Sequence, residues 1–271
     1  MGYNNLMTWL LFVIIFFLGA SVGSFVNVLI DRTIQGTDWV GGRSRCDHCK
    51  KTLTWYDMVP IVSYLFYRGR SRCCHKRLSA RYPIVEFILG SLFIWWAVMG
   101  TFFFQLAVQP LTYIQPLFWL GIGVLLLVLA IADWAYGVIL MPVLWVSVAW
   151  VLLYRIVLLF LGGYHLNDFV AALVGAIVSA FFIQLLRWVT HGRGMGDGDP
   201  YLMFLVALVV GWPRVIVAFL ASFIVGASVG VGLLVAGIRK RTDTLPFGPF
   251  LVAGAIIALV WGGSLLRIYG M

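Results

Sequence analysis

The sequence predicts an all-α polytopic membrane protein of about eight transmembrane helices, with a cysteine-containing cytoplasmic loop after the first. Three observations carry that expectation. Of the 271 residues, 62% are hydrophobic and only 11% charged, where a soluble domain holds about 25% charged residues. The apolar residues gather into stretches of about 20, the length that crosses a hydrocarbon core of roughly 30 Å, separated by short polar breaks. Finally, 11 of the 19 Lys and Arg lie between Arg32 and Arg81, directly after the first stretch, which is the asymmetry of a cytoplasmic loop under the positive-inside rule. Membrane topology thus accounts for the net charge of +9. The expected partner is the lipid bilayer, and no nucleic acid.

The first span, 6–30, has no basic residue before it, and its apolar run exceeds the roughly 7 to 15 residues of a signal-peptide core, so it reads as a retained anchor. Further spans are expected over 83–104, 116–132, 138–161, 169–187, a short one over 200–210, then 215–238 and 247–266. With the 32–81 loop inside and each span crossing once, 16 basic residues fall inside. Only Arg155, Arg214 and Arg267 remain for the other face or the far span ends. That bias supports eight spans with both termini outside. Trp95, Trp96 and Trp188 read as interfacial anchors. Gly226, Gly230 and the small residues through Gly237 read as helix-packing positions, since small side chains let backbones approach in lipid.

An acidic residue at the edge of a long apolar run is costly to desolvate and marks a functional site. Asp133 closes the apolar run of the third span. Asp197 and Asp199 lie in Gly194-Met195-Gly196-Asp197-Gly198-Asp199-Pro200, where glycines permit irregular backbone and Pro200 suits a first helical turn. Helix capping explains one of these carboxylates, but not a second at the same depth on another helix. Two carboxyl groups brought together share one proton, the arrangement by which aspartic proteases activate water: one group takes a proton from water while the other donates to the peptide carbonyl.

At this point the residues resemble a known family, the type IV prepilin peptidases, relatives of the Gly-x-Gly-Asp intramembrane aspartyl proteases. The resemblance runs nearly end to end. Gly23-Ser24-Phe25-Val26-Asn27-Val28 is similar to the family's Gly-Ser-Phe-Leu-Asn-Val, and Leu53-Thr54-Trp55-Tyr56-Asp57-Met58-Val59-Pro60 to its Leu-x-Trp-x-Asp-x-x-Pro. Ser79-Ala80-Arg81-Tyr82-Pro83-Ile84-Val85-Glu86 resembles Ser-x-Arg-Tyr-Pro-x-Val-Glu, Met195-Gly196-Asp197-Gly198-Asp199 the catalytic Met-Gly-x-Gly-Asp, and Phe247-Gly248-Pro249 the Phe-Gly-Pro near the C-terminus. Five short motifs in one order are specific where each alone is weak.

The resemblance implies Asp133 and Asp199 as the catalytic pair, Asp199 being preferred to Asp197 by register, with Gly196 and Gly198 forming the active-site loop. It implies a multi-pass protein of the bacterial inner membrane that cleaves prepilin or pseudopilin precursors after a basic leader. Many members also methylate the new N-terminus with S-adenosylmethionine. The implied domains are a first transmembrane helix over 1–30, a cytoplasmic loop module over 31–82 and a transmembrane protease domain over 83–271. Departures are Tyr201 where the family commonly has Lys, and Pro142 displaced after Ile139-Leu140-Met141. A membrane transporter or assembly scaffold that binds protons or cations on the paired carboxylates is the alternative.

All four cysteines lie between positions 46 and 74, which in a reduced cytoplasmic loop favours a metal over disulfides. Cys46 and Cys49 form a Cys-x2-Cys pair, and Cys73 and Cys74 a second, adjacent pair. The family's second pair is also Cys-x2-Cys, and its first position is Ser71 here. A structural zinc, which takes four thiolate or imidazole ligands, would hold the loop. Three alternatives stand: Cys73 bends in beside Cys74, His48 or His75 completes the shell, or the thiols stay reduced without metal.

Overall fold

A computed structural model describes residues 2–38, 41–46, 48–103, 111–162, 164–192, 194–240 and 244–268. Phe104, the expected end of the second span, and Arg193 and Arg241 of the basic count lie outside the described residues. Among the described residues the regular structure is helical, apart from two isolated β-bridges in the loop. Long helices form at the apolar stretches: α1 (Gly2–Ile34), α3 (Arg81–Phe103), α4 (Leu111–Tyr136), α5 (Met141–Phe160), α6 (Leu166–Val189), α8 (Arg214–Val235) and α9 (Gly248–Ile268). These seven are long and apolar enough to cross a membrane. Between α1 and α3 lie a 3-10 turn (Trp55–Met58) and a five-residue helix, α2 (Val62–Phe66).

The short apolar segment is helix α7 (Asp199–Val210), of 12 residues. At 1.5 Å per residue it rises about 18 Å, well short of a roughly 30 Å core, so the eight-span count holds only approximately. An apolar helix of that length ends inside a membrane protein where other helices enclose it, and α7 is enclosed: every residue from Asp199 to Val210 is buried except Tyr201 and Phe204.

The chain folds as two compact units, Met1–Val124 and Leu125–Met271. In the first, α1 runs along α3. The approach is set by glycine: a Cβ on Gly19 would stand 2.6 Å from the Leu89 carbonyl oxygen, one on Gly23 2.7 Å from Glu86 Cα, and one on Gly90 2.6 Å from the Phe16 ring. Ala20, Val26 and Ile30 from α1 and Val85 and Leu89 from α3 are buried. The Trp96 indole N–H donates to the Pro116 carbonyl at 2.7 Å. Trp95 and Trp188 are exposed.

The loop of this unit contains two turns built alike. Cys46 N–H donates to Lys51 O, Lys50 N–H to Cys46 O and Leu53 N–H to Ser44 O; Ser71 N–H donates to Lys76 O, His75 N–H to Ser71 O and Leu78 N–H to Gly69 O. The bridges Arg45–Thr52 and Arg70–Arg77 close them, and Lys50 and His75 both take positive φ, 58° and 55°. Each bond of the first turn recurs 25 residues on, so Ser71 stands where Cys46 stands and Cys74 where Cys49 stands.

In the second unit α7 packs against α5, α6, α8 and α9, and α8 runs along α9. The closest α8–α9 approach is at Gly254, where a Cβ would collide with Ser222 Oγ and the Ala218 carbonyl. Gly226 also admits a close neighbour, since a Cβ there would stand 3.2 Å from the Phe250 ring, whereas Gly230 leaves an ordinary packing distance of 3.5 Å to Leu245. Gly237 faces open space.

Candidate active site

Helix α4 runs on past the expected end at Ala132 to Tyr136. Asp133 therefore sits within its last turn, and Gly137 ends the helix at φ 65°, its N–H bonded to the Asp133 carbonyl. The Asp133 side chain is 5% exposed. Its Oδ2 accepts the N–H of Gly248 at 2.7 Å, one of the N-terminal donors that a helix leaves without internal partners. Gly248 opens α9, and a Cβ there would stand 2.6 Å from the same oxygen. The close seat of this carboxylate thus requires glycine.

Asp199 opens α7 with Pro200 behind it and Gly198 as N-cap residue. It is 3% exposed, and its Oδ2 accepts the N–H of Gly196 at 2.7 Å. A Cβ on Gly198 would come within 2.8 Å of the Ile139 side chain, so the glycine lets the loop press against the α4–α5 turn. Asp133 and Asp199 lie near enough for their charges to interact. Asp197 is placed differently: its side chain is 85% exposed and pairs with Arg187. Tyr201, at the position where the resemblance led to Lys, is half exposed and stacks edge-on with Trp145.

The sequence alone assigned no role to Gly248 at this site or to Arg155 at the far end of α7. Gly248 was visible only as part of a short motif. Arg155, in α5, is buried to 7% exposure; its Nε donates to the Leu208 carbonyl at 2.9 Å, its Nη2 to the same oxygen, and its Nη1 to the Tyr164 hydroxyl. A cation thus meets the C-terminal carbonyls of α7, where the helix dipole favours it. The signal was available, since an arginine inside an apolar helix has a partner by default.

The four cysteines come together in the first unit. Their sulfurs all lie within 4.8 Å of one another; Cys46 and Cys74 are 3.7 Å apart and Cys49 and Cys73 3.0 Å. Cys73 bends in beside Cys74, the first of the three alternatives, while His48 Nε2 lies 3.2 Å from the Arg77 carbonyl oxygen. Ser71 Oγ lies 3.2 Å from Cys46 Sγ and 3.1 Å from Cys73 Sγ. Burial raises the Cys46 thiol, but N–H groups of Cys49 and His48 and the Ser71 hydroxyl outweigh it and bring the pKa down to about 6. The neighbouring Cys49 pushes Cys73 up to about 11. A zinc with four sulfurs at about 2.3 Å has sulfur–sulfur edges of about 3.8 Å, so the donor set is of the right size and type for one ion.

Two family models match the chain: the Bacterial Peptidase A24 N-terminal domain over residues 17–100 and the Type IV leader peptidase family over residues 119–231. A prepilin leader peptidase/N-methyltransferase of Aeromonas hydrophila is 29% identical over 300 residues, covering 97% of this chain and 95% of that one. One of Bacillus subtilis (strain 168) is 29% identical over 257 residues, covering 94% and 96%. One of Myxococcus xanthus (strain DK1622) is 31% identical over 236 residues, covering 86% of this chain and 66% of that one. No solved structure gives a significant match. Helical bundle and matches together define a multi-pass membrane peptidase. The chain belongs to the type IV leader peptidase family.

Proposed function

We propose that this chain is an aspartyl endopeptidase that removes the basic leader from prepilin-like or pseudopilin precursors at the cytoplasmic face of the bacterial inner membrane, and that it then methylates the new N-terminus. The observation that carries the reading is the pair of buried carboxylates, Asp133 and Asp199, each reached by one glycine N–H and brought into electrostatic range from separate helices. A water between them loses a proton to one carboxylate as its oxygen attacks the scissile carbonyl, and the other carboxyl donates a proton to the carbonyl oxygen. Collapse of the tetrahedral intermediate breaks the C–N bond and passes a proton to the departing amine. The cytoplasmic face is inferred from the basic residues, 11 of which fall in the single loop between Arg32 and Arg81.

Zinc is assigned a structural role on Cys46, Cys49, Cys73 and Cys74. Of residues 31–80, Cys46 and Ser71 alone are buried among those described, so the loop lacks an apolar core and an ion would supply the cross-link that packing does not.

The test is cleavage of a prepilin precursor by purified full-length protein in lipid nanodiscs. Asp133→Asn and Asp199→Asn should each lower turnover by at least about 10³-fold, as expected when one member of a catalytic unit is lost, with membrane levels unchanged. Retained cleavage in either variant overturns the assignment. A transporter or scaffold built on the same carboxylates would leave the precursor uncut in the wild type as well.

A further inference from the structure

Of the three carboxylates that the sequence sets at helix ends, the peptidase reading uses Asp133 and Asp199 and leaves Asp197 without a role. Asp197 stands between Gly196 and Gly198, and Gly196 donates its N–H to Asp199 Oδ2 at 2.7 Å. One short loop thus turns Asp199 inward, to 3% exposure, and Asp197 outward, to 85% side-chain exposure. Consecutive Cα atoms are about 3.8 Å apart, so those of Asp197 and Asp199 are separated by at most about 7 Å. An extended peptide advances about 3.3 Å per residue. A peptide whose scissile bond lies at Asp199 therefore brings the side chains within two or three residues of that bond into reach of Asp197.

Asp197 is also the exposed carboxylate that the second unit offers there. Among the described residues of that unit, Asp133 and Asp199 are buried, and Asp168 lies in the first turn of α6. At 1.5 Å per residue, Asp168 is about 28 Å along that helix from Arg187, the partner of Asp197. The Asp197–Arg187 pair is itself easily exchanged. Arg187 Nη2 donates to Asp197 Oδ1, while Arg187 Nε is buried without a hydrogen-bond partner among the described residues, so the guanidinium is engaged through one end only. An ion pair with one member this exposed shifts an equilibrium by no more than about fivefold. Arg187 sits in the last turn of α6, where the helix dipole favours a cation whether or not a carboxylate faces it. A second cation thus displaces Arg187 from Asp197 without leaving it in an unfavourable place.

We propose that Asp197 is a specificity-determining residue: its carboxylate receives a Lys or Arg side chain of the leader close to the cleaved bond, and Arg187 occupies that carboxylate while no precursor is bound. The inference rests on the peptidase reading and on the basic leader assigned to its substrate. No bond is made or broken at Asp197, which contributes charge and orientation beside the carboxylate pair.

The experiment is a cycle of cleavage rates. Purified full-length wild type and Asp197→Asn, in nanodiscs, are each given a prepilin precursor and a series in which the basic residues of its leader are replaced by Gln one at a time. On the unaltered precursor Asp197→Asn should lower kcat/KM about fivefold, or about 1 kcal/mol, chiefly through KM, as expected of a binding contact. On the precursor that lacks the contacting residue the two enzymes should agree within about twofold, because that contact is already absent. Arg187→Gln, which frees Asp197, should raise kcat/KM on the unaltered precursor at least about twofold. An Asp197→Asn variant that loses the same factor on every precursor, or loses nothing on any, overturns the assignment. So does a loss in Arg187→Gln equal to that in Asp197→Asn, which would make the pair a brace for the loop. A wild type that leaves every precursor uncut overturns the peptidase reading itself, whereas wild-type cleavage with one of the former outcomes overturns recognition by Asp197 alone.

Discussion

Gly248 acts on Asp133 through what it donates and through what it lacks. Its N–H reaches the carboxylate, and a Cβ would stand 2.6 Å from Oδ2 and 3.1 Å from both Cβ and Cγ of the aspartate. Gly248→Ala must therefore displace the carboxylate, and a displacement of about 1 Å at a catalytic group costs on the order of 10²-fold in rate. Precursor cleavage in nanodiscs should fall by about that factor at unchanged membrane level. Gly230→Ala, with Leu245 Cδ1 3.5 Å away, should cleave as wild type; equal rates in the two variants would show that Asp133 is not held in this way. The two carboxylates were legible as residues because each interrupts or abuts apolar sequence. Their partners were not. Gly248 is 115 positions from Asp133, and no local pattern links a helix-opening glycine to the end of a distant helix.

At the scale of elements, apolar length and glycine or proline punctuation located the helices to within a few residues. Helix α7 is the clearest example: Pro200 marks its start and Gly211, at φ 76°, its end. The physics of its surroundings was less accessible. A 12-residue helix buried on nearly every face leaves its last carbonyls away from water, and the sequence does not disclose that Arg155, on α5, satisfies them. Replacing Arg155 by Met keeps the apolar bulk but leaves the buried Leu208 carbonyl without this donor, at a cost of about 1–3 kcal/mol. On the proposed assignment of Asp199, Arg155 would act as a positioning residue, since it holds the other end of the same helix. The expected outcome is a melting temperature lowered by several degrees together with slower cleavage, and a kcat effect larger than the KM effect. An unchanged melting temperature would mean that α7 does not depend on this contact.

On the scale of the whole molecule, two compact units carry separate chemistry: the carboxylate pair lies within 125–271, the cysteine cluster within 1–124. The departure at Ser71 concerns the second. By residue spacing, adjacent Cys73 and Cys74 depart from a second Cys-x2-Cys pair; the hydrogen bonds show a turn repeated at an offset of 25, with Ser71 in the position of Cys46 and Cys73 supplying a sulfur from two residues further on. If the second turn is equivalent to the first, a cysteine at position 71 can replace Cys73 as ligand, because Ser71 Oγ already lies within 3.2 Å of both Cys46 and Cys73 sulfurs. Metal content of purified protein, measured by mass spectrometry, should be about one zinc per chain in the wild type, since four thiolates fill a tetrahedral shell. It should fall well below that in Cys73→Ser and return to about one in the double variant Ser71→Cys, Cys73→Ser. In the depleted variant limited proteolysis should cut within residues 41–80, where two buried residues among those described leave the loop little else to hold it. Full zinc in Cys73→Ser, or no recovery in the double variant, would break the equivalence of the two turns.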